Sequence, residues 1–220
     1  MIKAIVTGAT GMVGEGVLHE CLLRNDVEQV LVITRKSCGV SHPKLKEIIH
    51  PDFSNISSIS SQLADYNACF FCLGVSSVGM EEEKYFELTH TLTLNFATEL
   101  SRVNPGLTFC YISGAGTDST EKGKSMWARV KGKTENDLVR LPFKKVYNFR
   151  PGIMTPTKGL KNTLSFYKYF GWLAPVFWLL TPNRISTLKQ LGLAMINSVA
   201  KGYDKQIIEV KDIKMLAALK

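Results

Sequence analysis

Hydrophobic residues along this chain fall into two alternating patterns. The first is a short, nearly unbroken apolar run, as in "KAIVTG" (3–8), "VEQVLVITR" (27–35), "ACFFCLG" (68–74), "LTFCYISG" (107–114) and "KKVYNFRPG" (144–152). Runs of this kind suit strands buried on both faces. "KLKEIIHPDF" (44–53) is a weaker version of the same pattern. The second pattern is apolar positions at helical spacing. It covers "VGEGVLHECLLRND" through Val13, Val17, Leu18, Cys21 and Leu22, and the long stretch "EEEKYFELTHTLTLNFATELSRVN", which Pro105 and Gly106 end. "KSMWARVKGKTENDLVRL" repeats it and stops near Pro142. Strands alternating with helices predict βαβ units and an α/β fold, a doubly wound parallel Rossmann sheet with helices on both faces. The pattern places a Rossmann domain at 1–156 and a small C-terminal cap at 157–220, integrated into the same domain. Within the cap, the aromatic run "LSFYKYFGWLAPVFWLL" (164–180) is followed by an amphipathic helix, "ISTLKQLGLAMINSVAKG", and a tail, "KQIIEVKDIKML", that can add an edge strand.

The first strand runs into "VTGATGMVGEG". Gly8, Gly11 and Gly14 form GxxGxxG between a strand and a helix, the context in which such glycines hold a dinucleotide. Gly8 permits the tight turn, Gly11 lets a pyrophosphate approach the backbone, and Gly14 allows the helix to close on the strand. The helix N-terminus offers free amides and a positive dipole end to phosphate, and Thr7 and Thr10 add hydroxyl donors. A structural turn without ligand is the plainer alternative. The second strand ends in "VITRKS", where NAD-binding chains place an acid for the ribose hydroxyls. Arg35 and Lys36 stand there instead. Arg35 can fork onto a 2′-phosphate, which favours NADP over NAD; a solvated basic loop is the alternative.

Composition narrows the rest. A formal charge of +8 admits an anionic cofactor or substrate, nucleic acid, or an anionic membrane. The lysines are spread along the chain and accompany no nucleic-acid motif, which disfavours nucleic acid. The 164–180 segment falls short of the about 20 residues a spanning helix needs. Its aromatics fit a pocket lid or a homodimer face better than peripheral membrane contact. Five cysteines make an odd count and lie in apolar runs, consistent with buried thiols in a reducing compartment. Cys69 and Cys72 form a CxxC on a strand, where an offset of three sends the two side chains to opposite faces. The four histidines lack ligand spacing, so no metal site is expected. The N-terminus has no export signal pattern, and the expected location is cytoplasmic.

With "VTGATGMVG", "TRKS", "PDF", "CLG", "SGAG" and "FRPG" in view, the chain resembles the atypical short-chain dehydrogenase/reductase superfamily, of NAD-dependent epimerase/dehydratase type. It is most similar to the small NAD(P)-binding members, the Tat-interacting oxidoreductase-like group, over nearly all of residues 1–156. The resemblance implies that Thr10, Gly11, Met12 and Val13 hold the pyrophosphate and that Arg35 meets the 2′-phosphate. By the same resemblance, Asp52 and Phe53 border the adenine, and Leu73, Gly74 and Val75 line the adenosine ribose. Pro151, Gly152 and Ile153 face the nicotinamide amide. The superfamily's catalytic set is Ser, Tyr and Lys, with the tyrosine four residues before the lysine. Lys131 matches the lysine, which holds the nicotinamide ribose. Ser113 is the serine candidate, although the catalytic serine of relatives is often the next residue, here Gly114. The tyrosine position holds Trp127. An indole N–H donates a hydrogen bond but does not ionise in the useful range, so Trp127 cannot deliver the proton that carbonyl reduction needs. Tyr111, two residues before Ser113 on the same strand, is a substitute donor only if it reaches the pocket. Two functions remain: an NADP-dependent oxidoreductase on a small hydrophobic carbonyl-type substrate with weakened or altered catalysis, or a non-catalytic NADP(H)-sensing regulatory or scaffold protein.

Overall fold

The computed structural model describes residues 1–162 and 184–219. The elements are β1 (Ile2–Thr7), α1 (Met12–Leu23), β2 (Val27–Thr34), β3 (Leu45–Ile49), a 3₁₀ turn (Ser57–Leu63), β4 (Ala68–Phe71), α2 (Glu82–Phe86), a π turn (Glu87–Thr91), α3 (Leu92–Val103), β5 (Thr108–Ile112), α4 (Met126–Leu138) and β6 (Lys145–Arg150). After them come β7 (Ile153–Thr155), β8 (Ile185–Thr187), α5 (Leu188–Lys201), β9 (Ile207–Glu209) and α6 (Val210–Ala217). Seven strands pair in the order β3-β2-β1-β4-β5-β6-β9, and each pairing is parallel. The chain reverses its direction of sheet growth between β1 and β4. Loops leaving those two strands diverge and open a crevice at their carboxyl ends, where open α/β sheets bind ligands.

The unbroken apolar runs are explained by two cores, one on each face. Along β1, Ala4 and Val6 face one core and Ile5 the other; along β4, Phe70 and Phe71 divide the same way. The first core is closed by Val17, Leu18 and Cys21 of α1, Leu191 and Met195 of α5, and Ile213 and Leu216 of α6. The second is closed by Leu63, Phe96, Leu100 and Leu138. The thiols of Cys69 and Cys72 divide between the cores, as the strand period requires. Where α1 and α5 cross, the contact is close enough to need glycines: a Cβ at Gly16 would stand 3.1 Å from Leu188 Cβ, and one at Gly192 would stand 2.8 Å from Glu20 Cγ.

Three features depart from the pattern read along the chain. Ile185–Thr187, expected to open a helix, is instead strand β8 paired with β7. Thr187 then caps α5, its hydroxyl accepting the Gln190 N–H at 3.0 Å while Gln190 Oε1 accepts the Thr187 N–H at 2.9 Å. The tail forms the edge strand β9 and continues into α6, which buries Val210, Ile213 and Leu216. The long central helix contains the π turn, in which the Leu92 N–H reaches the Glu87 carbonyl. Of the expected cap, residues 188–217 lie on the Rossmann sheet itself and supply one strand and much of one helical layer. The aromatic segment 164–180 lies outside the described residues. No helix among the described residues is long and apolar enough to cross a membrane.

Candidate dinucleotide site

The glycine loop sits at the crevice. Gly8 has φ +70°, and a Cβ there would lie 2.7 Å from the Cys72 carbonyl, so only glycine fits beside the end of β4. A Cβ at Gly14 would overlap the Gly8 carbonyl, so the helix can close on the loop only without one. Gly11 differs. Its φ is −108°, open to any residue, and a Cβ there would meet protein only at 3.5 Å from the Gly8 carbonyl, ordinary contact. Among the described residues, neither conformation nor packing demands glycine at 11. Gly11 also caps α1 without a side-chain acceptor. The first-turn amides, Met12 and Val13 among them, therefore present their donors and the positive end of the helix dipole to whatever occupies the crevice. Thr10 is exposed beside them. Thr7 is buried, and its hydroxyl accepts the Cys72 N–H at 3.1 Å, which fastens β1 to the loop after β4. These residues fit a dinucleotide phosphate.

On one side of the loop lies a cleft of about 240 Å³. Arg35, Asp52, Phe53, Leu73, Gly74, Val75, Leu88 and Leu92 are among its walls, so the residues assigned to the adenosine end converge there. Arg35 follows β2 directly and is exposed. Asp52 Oδ1 accepts the Ser54 N–H at 2.9 Å, which shapes the turn after β3. The Phe53 ring is buried and stacks on Phe96 with centroids 6.1 Å apart. Leu88 and Leu92, which sequence reasoning missed, come from the π turn and the start of α3.

On the other side, Gly114, Ala115, Gly116, Pro151, Gly152, Ile153 and Arg184 enclose about 630 Å³. The Ala115 N–H bonds the Pro151 carbonyl at 2.8 Å, joining the "SGAG" and "RPG" turns. A Cβ at Gly152 would overlap the Arg184 carbonyl. The six-membered ring of Trp127 lies against Gly114 and Gly116: the positions their Cβ atoms would take stand 3.8 and 3.6 Å from it. The indole therefore fills the space beside the turn. One helical turn on, Lys131 donates from Nζ to the Ser113 carbonyl. Burial lowers the Lys131 pKa to about 8, an effect that the nearby Glu135 carboxylate opposes.

Ser113 does not offer its hydroxyl to this cleft. Ser113 is buried, and its Oγ donates to Glu135 Oε1 at 2.5 Å, with the Phe149 carbonyl at 3.0 Å. Tyr111 lies in the second core, its ring 6.3 Å from that of Phe71, and burial pushes its phenol well above the ordinary value. It does not reach the pocket. Two acids were not legible in the sequence. Glu135 pairs with Arg150 beneath the site. Glu15, in the first turn of α1, accepts the Lys161 and Asn162 N–H groups at 2.8 and 2.7 Å, tying the segment after β7 to the phosphate loop.

Residues 4–125 match the family model described as the NAD dependent epimerase/dehydratase family. Among curated proteins, the chain is 26% identical over 170 residues to "Protein FMP52-1, mitochondrial" of Scheffersomyces stipitis, covering 74% of each chain. It is 28% identical over 160 residues to the Aspergillus oryzae counterpart, covering 70% of this chain and 66% of that one. With Protein HTATIP2 of Rattus norvegicus, identity is 23% over 153 residues, covering 69% of this chain and 62% of the other. Among solved structures, dTDP-glucose 4,6-dehydratase DesIV of Streptomyces venezuelae, with NAD and TYD bound, superposes with a TM-score of 0.70 at 15% identity, over 95% of this chain and 75% of that one. Bordetella bronchiseptica WbmF in complex with NAD+ gives 0.66 at 15% identity, over 98% and 76%. The mitochondrial names of the fungal relatives overturn the cytoplasmic expectation. The missing apolar signal region had addressed export alone and carried no information about organelles. By its sheet order, its glycine loop and the match over more than half its length, the chain belongs to the NAD dependent epimerase/dehydratase family.

Proposed function

We propose that this protein binds NADP(H) in preference to NAD(H) and acts as an oxidoreductase of weakened or altered catalysis on a small hydrophobic carbonyl-type substrate. Gly11 carries the binding half of this reading. Among the described residues nothing requires glycine there, and an open backbone at this point suits a ligand lying on it. Arg35, at the end of β2 and on the wall of the adenosine cleft, supports NADP. Thr10, Gly11, Met12 and Val13 would take the pyrophosphate, Arg35 the 2′-phosphate, Lys131 the nicotinamide ribose, and Pro151–Ile153 the nicotinamide amide. A reduced nicotinamide held there supplies hydride. The chain's own contribution is orientation and the Lys131 ammonium. Neither Trp127, packed on the glycine turn, nor Tyr111, in the core, supplies the missing acid.

That same arrangement favours a second reading, a non-catalytic NADP(H)-sensing regulatory or scaffold protein. Ser113, Trp127 and Tyr111 are all engaged in packing or internal bonds. Fluorescence titration with NADPH and NADH tests the shared core of both readings. Arg35→Ala is expected to weaken NADPH and leave NADH nearly unchanged, and Gly11→Val to abolish both while the fold survives. Equal losses for both cofactors in Arg35→Ala refute the NADP preference, and normal affinity in folded Gly11→Val makes the loop purely structural.

A further inference from the structure

Helix α4 grips the end of β5 twice, one turn apart. Lys131 Nζ donates to the Ser113 carbonyl, and Glu135 Oε1 accepts the Ser113 hydroxyl at 2.5 Å. The Ser113 N–H is itself held by the Phe149 carbonyl at 2.9 Å. Glu135 is only 2% exposed and Arg150 8%. Arg150 meets the carboxylate with two bonds, Nε to Oε1 at 3.0 Å and Nη2 to Oε2 at 2.5 Å. Its Nη2 also donates to Ser119 Oγ at 2.5 Å, and its Nη1 lies 3.4 Å from Glu209 Oε1. Desolvation offsets most of the attraction within a buried pair of this kind, so stability alone is a weak reason to keep one. Its geometry ends on the single serine whose carbonyl receives the lysine.

We propose that Glu135 is a positioning residue for Lys131. Through the Ser113 hydroxyl it fixes the carbonyl to which the ammonium is bonded. Its charge keeps that ammonium protonated in a site that disfavours charge, while Arg150 holds the carboxylate in place. Among the described residues, the charged and titratable groups around this point are Glu135 on the lysine's own helix, Arg150 from β6, Glu209 of β9 behind Arg150, and the buried phenols of Tyr111 on β5 and Tyr85 on α2. Glu135 is the carboxylate that opposes the fall of the lysine's pKa. The functional weight of the arrangement rests on the reading of Lys131 as a cofactor contact.

The test is a pH titration of the Lys131 Cε resonance in 13C-lysine protein without cofactor, assigned by its loss in Lys131→Arg. Glu135→Gln retains an oxygen for the Ser113 hydroxyl and removes the charge, so the Lys131 midpoint is expected to move to lower pH. An unmoved midpoint in the folded variant overturns the proposal. Should the unpaired Arg150 unfold that variant, the double change Glu135→Gln with Arg150→Met removes both buried charges. A lower midpoint supports the proposal there, and an unchanged one overturns it. Ser113→Ala cuts the hydroxyl link and keeps the charge: weaker NADPH binding at an unshifted midpoint is expected, and wild-type affinity overturns the part assigned to the hydroxyl. Failure of the cofactor reading itself shows separately, as wild-type NADPH affinity in Lys131→Met.

Discussion

Trp127, which the resemblance sets at the position of the family's phenol, is a ring that cannot ionise but packs closely. Its six-membered ring backs Gly114 and Gly116, and Lys131 stands one turn away on the same helix. Trp127→Tyr would trade part of that packing for a phenol beside an ammonium, which lowers the phenol's pKa and makes it a usable acid. General acid catalysis is worth about 10²–10⁴-fold. Trp127→Tyr is therefore expected to raise NADPH consumption with a reactive diketone toward that range, and adding Lys131→Ala should remove the gain. Fast diketone reduction by the unmodified protein would show that another group supplies the proton. Tyr111 is a poor candidate for that role, since burial in the core pushes its phenol well up.

At the scale of the element, α4 carries a lysine held against its preference. Burial brings Lys131 down from an ordinary 10.5 to about 8, so the unfolded chain keeps this proton to higher pH than the folded one. The cost of burying the ammonium is fully present below about pH 8 and is relieved as pH rises toward 10.5. Denaturation midpoints of the native chain should accordingly rise relative to Lys131→Met between those limits, with a flat difference below them. A flat difference throughout would mean that the lysine is solvated in the folded protein. The order of strands and helices as far as β6 was legible because a strand buried by a core on each face reads as an unbroken apolar run, whereas a helix with one partner layer keeps a single apolar stripe. Gly8 and Gly14 were legible because the GxxGxxG spacing between a strand and a helix is a local pattern, although Gly8 also answers to the distant Cys72 carbonyl. Glu135 was not: its partners Ser113 and Arg150 lie 22 and 15 residues away and meet it only after β5, β6 and α4 have packed. Helix α6 escaped because it spans only 8 residues, too short for a clear helical period.

Across the whole molecule, the sheet depends on its last elements. β9 covers the edge of β6 over Asn148–Arg150, and Ile208, Ile213 and Leu216 enter the first core. Three such side chains at about 1.5–3 kcal/mol each come to roughly 5–9 kcal/mol. That is comparable with the roughly 5–15 kcal/mol that holds a typical domain folded. Removal of residues 205–220 would also strip Glu209 from Arg150 and open β6 as an unpaired edge. The shortened chain is expected to be insoluble or aggregated on size-exclusion chromatography. A soluble monomer that binds NADPH normally would show that these elements are dispensable.

The Glu15 carboxylate receives amides 146 and 147 residues further along, and its helix packs on α5, later still. During synthesis, then, the phosphate-binding helix emerges well before the elements that complete it. Until Leu191 and Met195 have left the ribosome, Val17, Leu18 and Cys21 lack their cover. Long-range closure of this kind is slow, and the waiting surface is apolar and open to association. The part of the protein that first announces its ligand is thus the part most dependent on protection while the chain is being made.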